Sequence, residues 1–283
     1  MMRAFMKRIL VLALLFVAVA VQAAKPNILF IMADDMGYGD VQALNPKSKI
    51  PTPNLNRLAK QGMTFTDAHS PSGVCTPTRY GVITGRYCWR SRLKRGVLGG
   101  YSAPLIEKNR PTVGSVLQKA GYHTAAIGKW HLGMNMTRRE GGKPAKDRWD
   151  GDGNVDYTKP IADSPITRGF HEYFGVSASL DMAPYVWIEN DHFAKPPTLQ
   201  QAAVKFPGFV RRGPRSDDLE FDEVLDVLAQ RAADAGIVYS MAYGDQPALI
   251  CEIVDWARAC GLEVVCAGKG TKYLPAFHAS TPD

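Results

Sequence analysis

Asn27 to Ala33, NILFIMA, is a near-continuous apolar run that stops at Asp34-Asp35, the pattern of a strand buried on both faces of a parallel sheet. Met63 to Ala68 and Tyr122 to Ile127 repeat it in shorter form and are predicted as strands. Helical spacing lies between and beyond them. Thr52 to Gly62 opens with a Thr cap and a Pro, sets Leu55, Leu58 and Ala59 on one face and stops at glycine. Pro111 to Ala120 spaces Val113, Val116, Leu117 and Ala120 for one apolar face, and Phe221 to Ala233 turns Val224, Leu225 and Leu228 inward. Cys75 to Arg86, CTPTRYGVITGR, reads as a further helix, with Thr76 and Thr78 as candidate caps, Pro77 at an early position and Gly85 as the stop. Arg138 to Pro165 is polar and rich in Gly, Asp and Lys, a long loop or irregular insertion. Strands alternating with helices place the chain in the α/β class.

The first residues change the picture by adding an address. A basic MMRAFMKR, the apolar ILVLALLFVAVAV and small residues at Val21-Gln22-Ala23 read as an export signal over residues 1–23, with a periplasmic or secreted mature chain and no stable membrane insertion after cleavage. An uncleaved anchor is the alternative, although the apolar run is short for a span. The 283 residues allow one large domain or two small ones, and 46% hydrophobic with 22% charged is globular composition, which argues against disorder. The formal charge of +7 suits an anionic substrate; nothing in it calls for nucleic acid. WRSRLKR, within a basic stretch from Arg86 to Arg95, is read first as a solvated loop and second as an anion-binding patch. The cysteines are 75, 88, 251, 260 and 266, an odd set without a disulfide framework.

Candidate chemistry gathers at three places. Cys75 at a helix N-terminus meets the positive end of the helix dipole and, one turn on, the guanidinium of Arg79, which favours anionic chemistry there. The plain alternative is a buried structural cysteine in a capped helix. Asp34 and Asp35 end a predicted strand where ligands collect in parallel sheets; they are either a solvated turn or a pair of hard oxygen donors for a cation. Lys129 and His131 follow another strand and, two apart in an extended segment, should point the same way. DGDGNVD, Asp150 to Asp156, imitates a calcium loop but lacks the terminal Glu and is read as a turn.

Cys75, Pro77 and Arg79 followed by Val82-Ile83-Thr84-Gly85 resemble the sulfatase signature in which cysteine is oxidised to formylglycine. GYHTAAIGKWH, Gly121 to His131, is similar to the second sulfatase signature, and PNILFIMADDMGYGD, Pro26 to Asp40, to that family's metal-binding start. The resemblance implies an alkaline-phosphatase-like α/β/α sandwich with a mostly parallel sheet, incomplete at the C-terminus. It further implies an arylsulfatase-like sulfuric ester hydrolase with formylglycine at Cys75 as nucleophile and calcium ligated by Asp34, Asp35 and the modified Cys75. Arg79 and Lys129 would hold hydrate and sulfate, and His131 would be the base. The implied partners are a sulfated small molecule or glycan and a formylglycine-generating enzyme. Gly169 to Ser177, GFHEYFGVS, continues the likeness and makes Asp181, Tyr185 and Asp191-His192 candidates for the border of a substrate pocket.

At about Ala235 the likeness stops. A strand over Gly236 to Ala242, a helix over Gln246 to Cys260 and a strand over Leu262 to Ala267 form a compact βαβ pattern that resembles a segment of homoserine-dehydrogenase-like oxidoreductases. The expected organisation is therefore an export signal, a sulfatase-like part over 24–234 and an unrelated tail over 235–283. GKGTK, from Gly268, lacks the spacing of a phosphate loop. The resemblance places the acid for the leaving alcohol and the rest of the metal shell after Ala235, so the alternative is a truncated or fused chain with little or no activity.

Overall fold

The computed structural model describes residues 25–141, 153–205, 209–234, 239–241 and 263–268. The export segment, the helix expected over Gln246 to Cys260, the GKGTK loop after its first glycine and the start of DGDGNVD lie outside the described residues.

Among the described residues the strands are β1 (Ile28–Ala33), β2 (Ala125–Lys129), β3 (Asn135–Met136), β4 (Ile161–Asp163), β5 (Glu172–Val176), β6 (Ile188–Glu189), β7 (His192–Phe193), β8 (Leu199–Gln201), β9 (Gly213–Arg215), β10 (Tyr239–Met241) and β11 (Glu263–Gly268). Among the described residues the α-helices are α1 (Pro53–Gln61), α2 (Cys75–Thr84), α3 (Val113–Lys119) and α4 (Val224–Asp234). The main sheet runs β11-β1-β10-β2-β5-β6-β7. Its first five members are parallel and its last three form an antiparallel edge from β5. The two strands expected after Ala235 thus flank β1, one on each side.

In β1, β2 and β5 residues of both faces are buried, the pattern of strands covered on both sides. Leu29, Ile31 and Met32 of β1 are buried, as is every residue of β2. Each fully buried Leu or Ile side chain contributes about 1.5–3 kcal/mol relative to exposure. Helix α2 is enclosed nearly all round, with Tyr80 and Ile83 in the core and Thr76, Thr78, Arg79 and Gly81 also buried. Gly85 ends it at φ 64, its N–H returning to the Gly81 carbonyl, the left-handed cap that glycine adopts without steric cost.

Three expectations are corrected. Met63 to Ala68 forms no strand and is exposed, with Met63 and Phe65 at 80% and 70%; among the described residues no strand lies alongside to take its backbone hydrogen bonds. Helix α3 leaves Val113 and Val116 exposed and buries Gly114. A Cβ on Gly114 would stand 2.5 Å from the Gly169 carbonyl oxygen, so close backbone approach turns the small face inward in place of the valine face. Thr76 and Thr78 do not cap α2. The cap position is Val74, and the two hydroxyls, already inside the helix, donate to the carbonyls of His131 (3.0 Å) and Ser72 (2.6 Å).

Candidate active site

The carboxyl ends of β1, β2 and β5 deliver polar residues to one edge of the sheet, the place where parallel α/β sheets bind ligands. Asp34 follows β1 and is buried, while Asp35 turns to φ 62 and is exposed. Lys129 is the last residue of β2; Ser177 and Ser179 follow β5. Opposite them α2 begins at Cys75, with no side-chain cap on its first turn.

One carboxylate organises the cluster. Asp34 Oδ2 accepts from Lys129 Nζ at 2.6 Å and from Arg79 Nη2 at 3.0 Å. Lys129 Nζ also donates to Cys75 Sγ at 3.3 Å and to Ser179 Oγ at 3.4 Å, and Arg79 Nη1 donates to the Lys129 carbonyl. Arg79, Lys129 and Asp34 are all nearly inaccessible to solvent. Two buried cations around one buried carboxylate make the surroundings of Cys75 electropositive, and low dielectric strengthens that field.

His131 is also buried. Lys129 ends β2, and two residues on His131 has φ 56, so the backbone leaves the extended conformation there. His131 Nε2 lies 2.7 Å from the Leu98 carbonyl, which requires its N–H there and leaves Nδ1 as the lone-pair nitrogen. Among the described residues Nδ1 has no hydrogen-bond partner. Burial, reinforced by the charge of Lys129 and then of Arg79, holds the imidazole well below its usual pKa, so the ring is neutral at neutral pH. Thr76 ties this residue to α2, donating to the His131 carbonyl and accepting the Leu98 N–H at 3.1 Å.

The neutral ring makes stability depend on pH. Its folded pKa lies below the unfolded value of about 6.5, so in that interval the unfolded chain binds more protons. Stability from His131 is therefore full above about pH 6.5 and is lost below it, with a slope of at most about 1.4 kcal/mol per pH unit. Urea midpoints measured from pH 8 to 5 should fall more steeply for the wild type than for His131→Gln. Parallel curves would refute the assignment.

Two contributors escape a reading of the sequence. Ser179 belongs to no motif, although its place just beyond a parallel strand beside β2 is a signal that could have found it. The Leu98 carbonyl has no signal, since main-chain acceptors carry none. Of the border candidates, Tyr185 is core, its hydroxyl donating to the Arg211 carbonyl at 2.6 Å. Asp181 pairs with Arg211 at 2.5 Å, two residues beyond Ser179, and Asp191 pairs with His192 at 2.7 Å at the exposed turn between β6 and β7. His69 is likewise exposed and paired, with Asp67 at 2.8 Å.

Comparison with known proteins gives the geometry its relatives. A family model described as Sulfatase matches residues 26–243, and one described as Oxidoreductase DRL, catalytic domain, matches 244–283. The first match runs through β10, beyond the point near Ala235 where the motifs end; the second bears out an oxidoreductase-like tail only as a short segment. N-acetylgalactosamine-6-O-sulfatase of Bacteroides thetaiotaomicron is 38% identical over 168 residues, covering 59% of this chain and 30% of the relative. Arylsulfatase A of Bos taurus is 36% identical over 179 residues, covering 63% and 31%. A solved structure from work on the metabolism of multiple glycosaminoglycans by Bacteroides thetaiotaomicron superposes with a TM-score of 0.66 at 24% identity, over 84% of this chain and 59% of that one. That likeness shows the shared α/β fold. The chain spans less than a third of the length of these curated relatives.

Proposed function

This chain belongs to the sulfatase family, and from that premise we propose that the cluster around Cys75 hydrolyses a sulfate ester of a small molecule or glycan. One observation carries the reading: Cys75 Sγ sits at the first position of a helix, 3.3 Å from the buried Lys129 ammonium, with Arg79 held on the same carboxylate as that ammonium. A nucleophile there faces a site able to bind an anion with two positive charges and the first-turn N–H groups.

In the proposal a formylglycine-generating enzyme oxidises Cys75 to the aldehyde with dioxygen as the oxidant. One hydroxyl of its hydrate attacks sulfur as the S–O bond to the alcohol breaks and the alcohol leaves protonated. Loss of the proton of the other hydroxyl then expels sulfate and restores the aldehyde, which water rehydrates. Lys129 and Arg79 orient that side chain and hold sulfate oxygens by charge-assisted hydrogen bonds, which strengthen as charge collects on oxygen in the transition state. His131 contributes a neutral acceptor: Nδ1 has no partner among the described residues, and fixing Nε2–H on the Leu98 carbonyl keeps that lone pair available for a proton. Asp34 holds the cations in register and prevents two like charges from being buried alone.

The donor chemistry at the end of β1 also fits a hard cation. Asp34 and Asp35 are adjacent carboxylates on the nucleophile's side of the sheet, although no group of three His, Cys, Asp or Glu converges among the described residues. They would hold calcium as part of a six- to eight-oxygen shell that the side chain at position 75 joins, and the ion would neutralise sulfate charge. Export to the periplasm or medium is part of the same proposal and is supported by the apolar leader of the sequence.

Co-expression with a formylglycine-generating enzyme, mass analysis of the tryptic peptide spanning Cys75 and hydrolysis of an aryl sulfate test the reading together. The expected result is the aldehyde at Cys75, turnover that depends on it, and none in Cys75→Ala. Unmodified thiol throughout would refute the reading. Full conversion with little or no turnover would favour the alternative of a truncated or fused chain with a sulfatase-like half-site.

A further inference from the structure

The segment leaving α2 holds a second concentration of chemistry that the Cys75 cluster does not use. Tyr87 and Trp89 are 56% and 62% exposed, and their rings lie 17° from parallel with centroids 6.1 Å apart. Between them Cys88 is buried in a 3-10 turn, Cys88–Arg90, so the segment is anchored by one residue while its two neighbours face solvent. The turn is stapled. Ser91 Oγ donates to the Cys88 carbonyl at 2.7 Å, and Lys94 Nζ to the Trp89 carbonyl at 2.9 Å. Arg86 donates to the Arg90 carbonyl at 2.9 Å and to Glu107 at 2.8 Å. Residues 86–95 contain five Arg or Lys and no Asp or Glu.

Large aromatic rings kept in water lose the gain from burial, and a pair of them aligned within a stretch rich in exposed Arg and Lys marks a binding surface more than a packing fault. Their stiffness matters, because each ring costs little rotamer entropy when a ligand covers it. The ligand that meets both features has flat apolar faces and repeated strong anions. A sugar ring offers its C–H face to an aromatic ring, and its sulfate groups offer planar oxygen pairs to guanidinium and acceptors to ammonium.

We propose that Tyr87 and Trp89, together with Arg90, Lys94 and Arg95, form an accessory site for a sulfated polysaccharide chain, with sugars on the rings and sulfate groups on the cations. The proposal rests on reading the Cys75 cluster as a sulfate-ester site, since a polymer sulfated along its length presents groups to both. Helix α2 separates them: Cys75 is at its first residue and the platform follows its last, a distance of about 15 Å for ten residues. The accessory site would hold the chain near the cluster, raising the local concentration of ester groups without touching the reacting atoms.

The test is affinity electrophoresis of the full chain in native gels containing dextran sulfate, chondroitin sulfate, unsulfated dextran or single-stranded DNA, with circular dichroism on every variant. Retardation by both sulfated polymers, none by dextran and little by DNA is expected. Trp89→Ala and Tyr87→Ala should each weaken retardation about tenfold or more, Trp89→Phe should keep most of it, and Arg90→Ala with Lys94→Ala should abolish it. Retardation unchanged in both Trp89→Ala and Tyr87→Ala, or equal retardation by DNA, would overturn the proposal by reducing the surface to charge alone. Trp89-dependent retardation supports the site whether or not an aryl sulfate is hydrolysed. Hydrolysis without such retardation overturns the site and leaves the Cys75 reading standing.

Discussion

Lys129→Met is expected to destabilise the fold and to abolish sulfate-ester turnover together. The ammonium reaches Asp34 at 2.6 Å, Cys75 at 3.3 Å and Ser179 at 3.4 Å, with almost no access to water. Methionine fills much of the volume but takes a cation from the buried Asp34 carboxylate, which keeps Arg79 at 3.0 Å. Removing one partner of a buried ion pair typically costs about 3–5 kcal/mol, a large share of the roughly 5–15 kcal/mol that holds a domain folded. Loss of one charge-stabilising donor costs turnover about a hundred- to a thousandfold more. Lys129→Arg should rescue neither, since a planar fork does not reproduce the contacts of a compact ammonium to Asp34, Cys75 and Ser179. Urea midpoints and aryl sulfate turnover on the same preparations check both effects. An unchanged midpoint would mean that Asp34 does not depend on this cation.

Gly175→Ala should be as damaging from a residue that touches no reacting group. Gly175 lies opposite Gly128 in the parallel pair β2 and β5, and an added Cβ would stand 1.8 Å from the Gly128 carbonyl oxygen and 2.6 Å from its carbon. Both obstacles are backbone, so no side chain can swing away. Either the strands separate or the register fails. Each outcome also breaks the bonds just beyond the pair, from the Trp130 N–H to the Val176 carbonyl at 3.1 Å and from the His131 N–H to the Ser177 carbonyl at 3.0 Å. A loss above about 4 kcal/mol is expected, the range reserved for core overpacking and broken networks. Thermal unfolding and soluble yield measure it, with Gly39→Ala as control. There the nearest atom to a new Cβ is the end of the Asn45 side chain at an ordinary 3.6 Å, and a change within about 0.5 kcal/mol is expected. A well-folded Gly175→Ala protein would contradict the strand register.

Strands buried on both faces are legible because covering them forces a continuous apolar run, as in β1, and polar residues can enter only where the strand stops. That is why Asp34 and Lys129 stand out along the chain. Helix α2 is legible at its end, where only Gly85 suits a left-handed cap, and less so at its start, where two threonines look like caps. Their hydroxyls serve His131 and Ser72 instead, residues whose nearness no local pattern encodes. Helix α3 misleads for a related reason: its spacing favours the valines, but the close approach of Gly169 selects the glycine.

By itself the sequence determined the α/β class, the family motif around Cys75 and the residue types available for anion chemistry, since periodicity and local motifs are properties of neighbouring residues. Only the tertiary structure decided which charges share a carboxylate, that His131 is a neutral buried ring fixed on the Leu98 carbonyl, and that Ser179 reaches Lys129. It also decided the placing of β10 and β11 on the two sides of β1. These are contacts between residues dozens of positions apart. They arise from strand order, helix placement and the exclusion of water, and the energies that set them come from burial, not from any stretch of chain read alone.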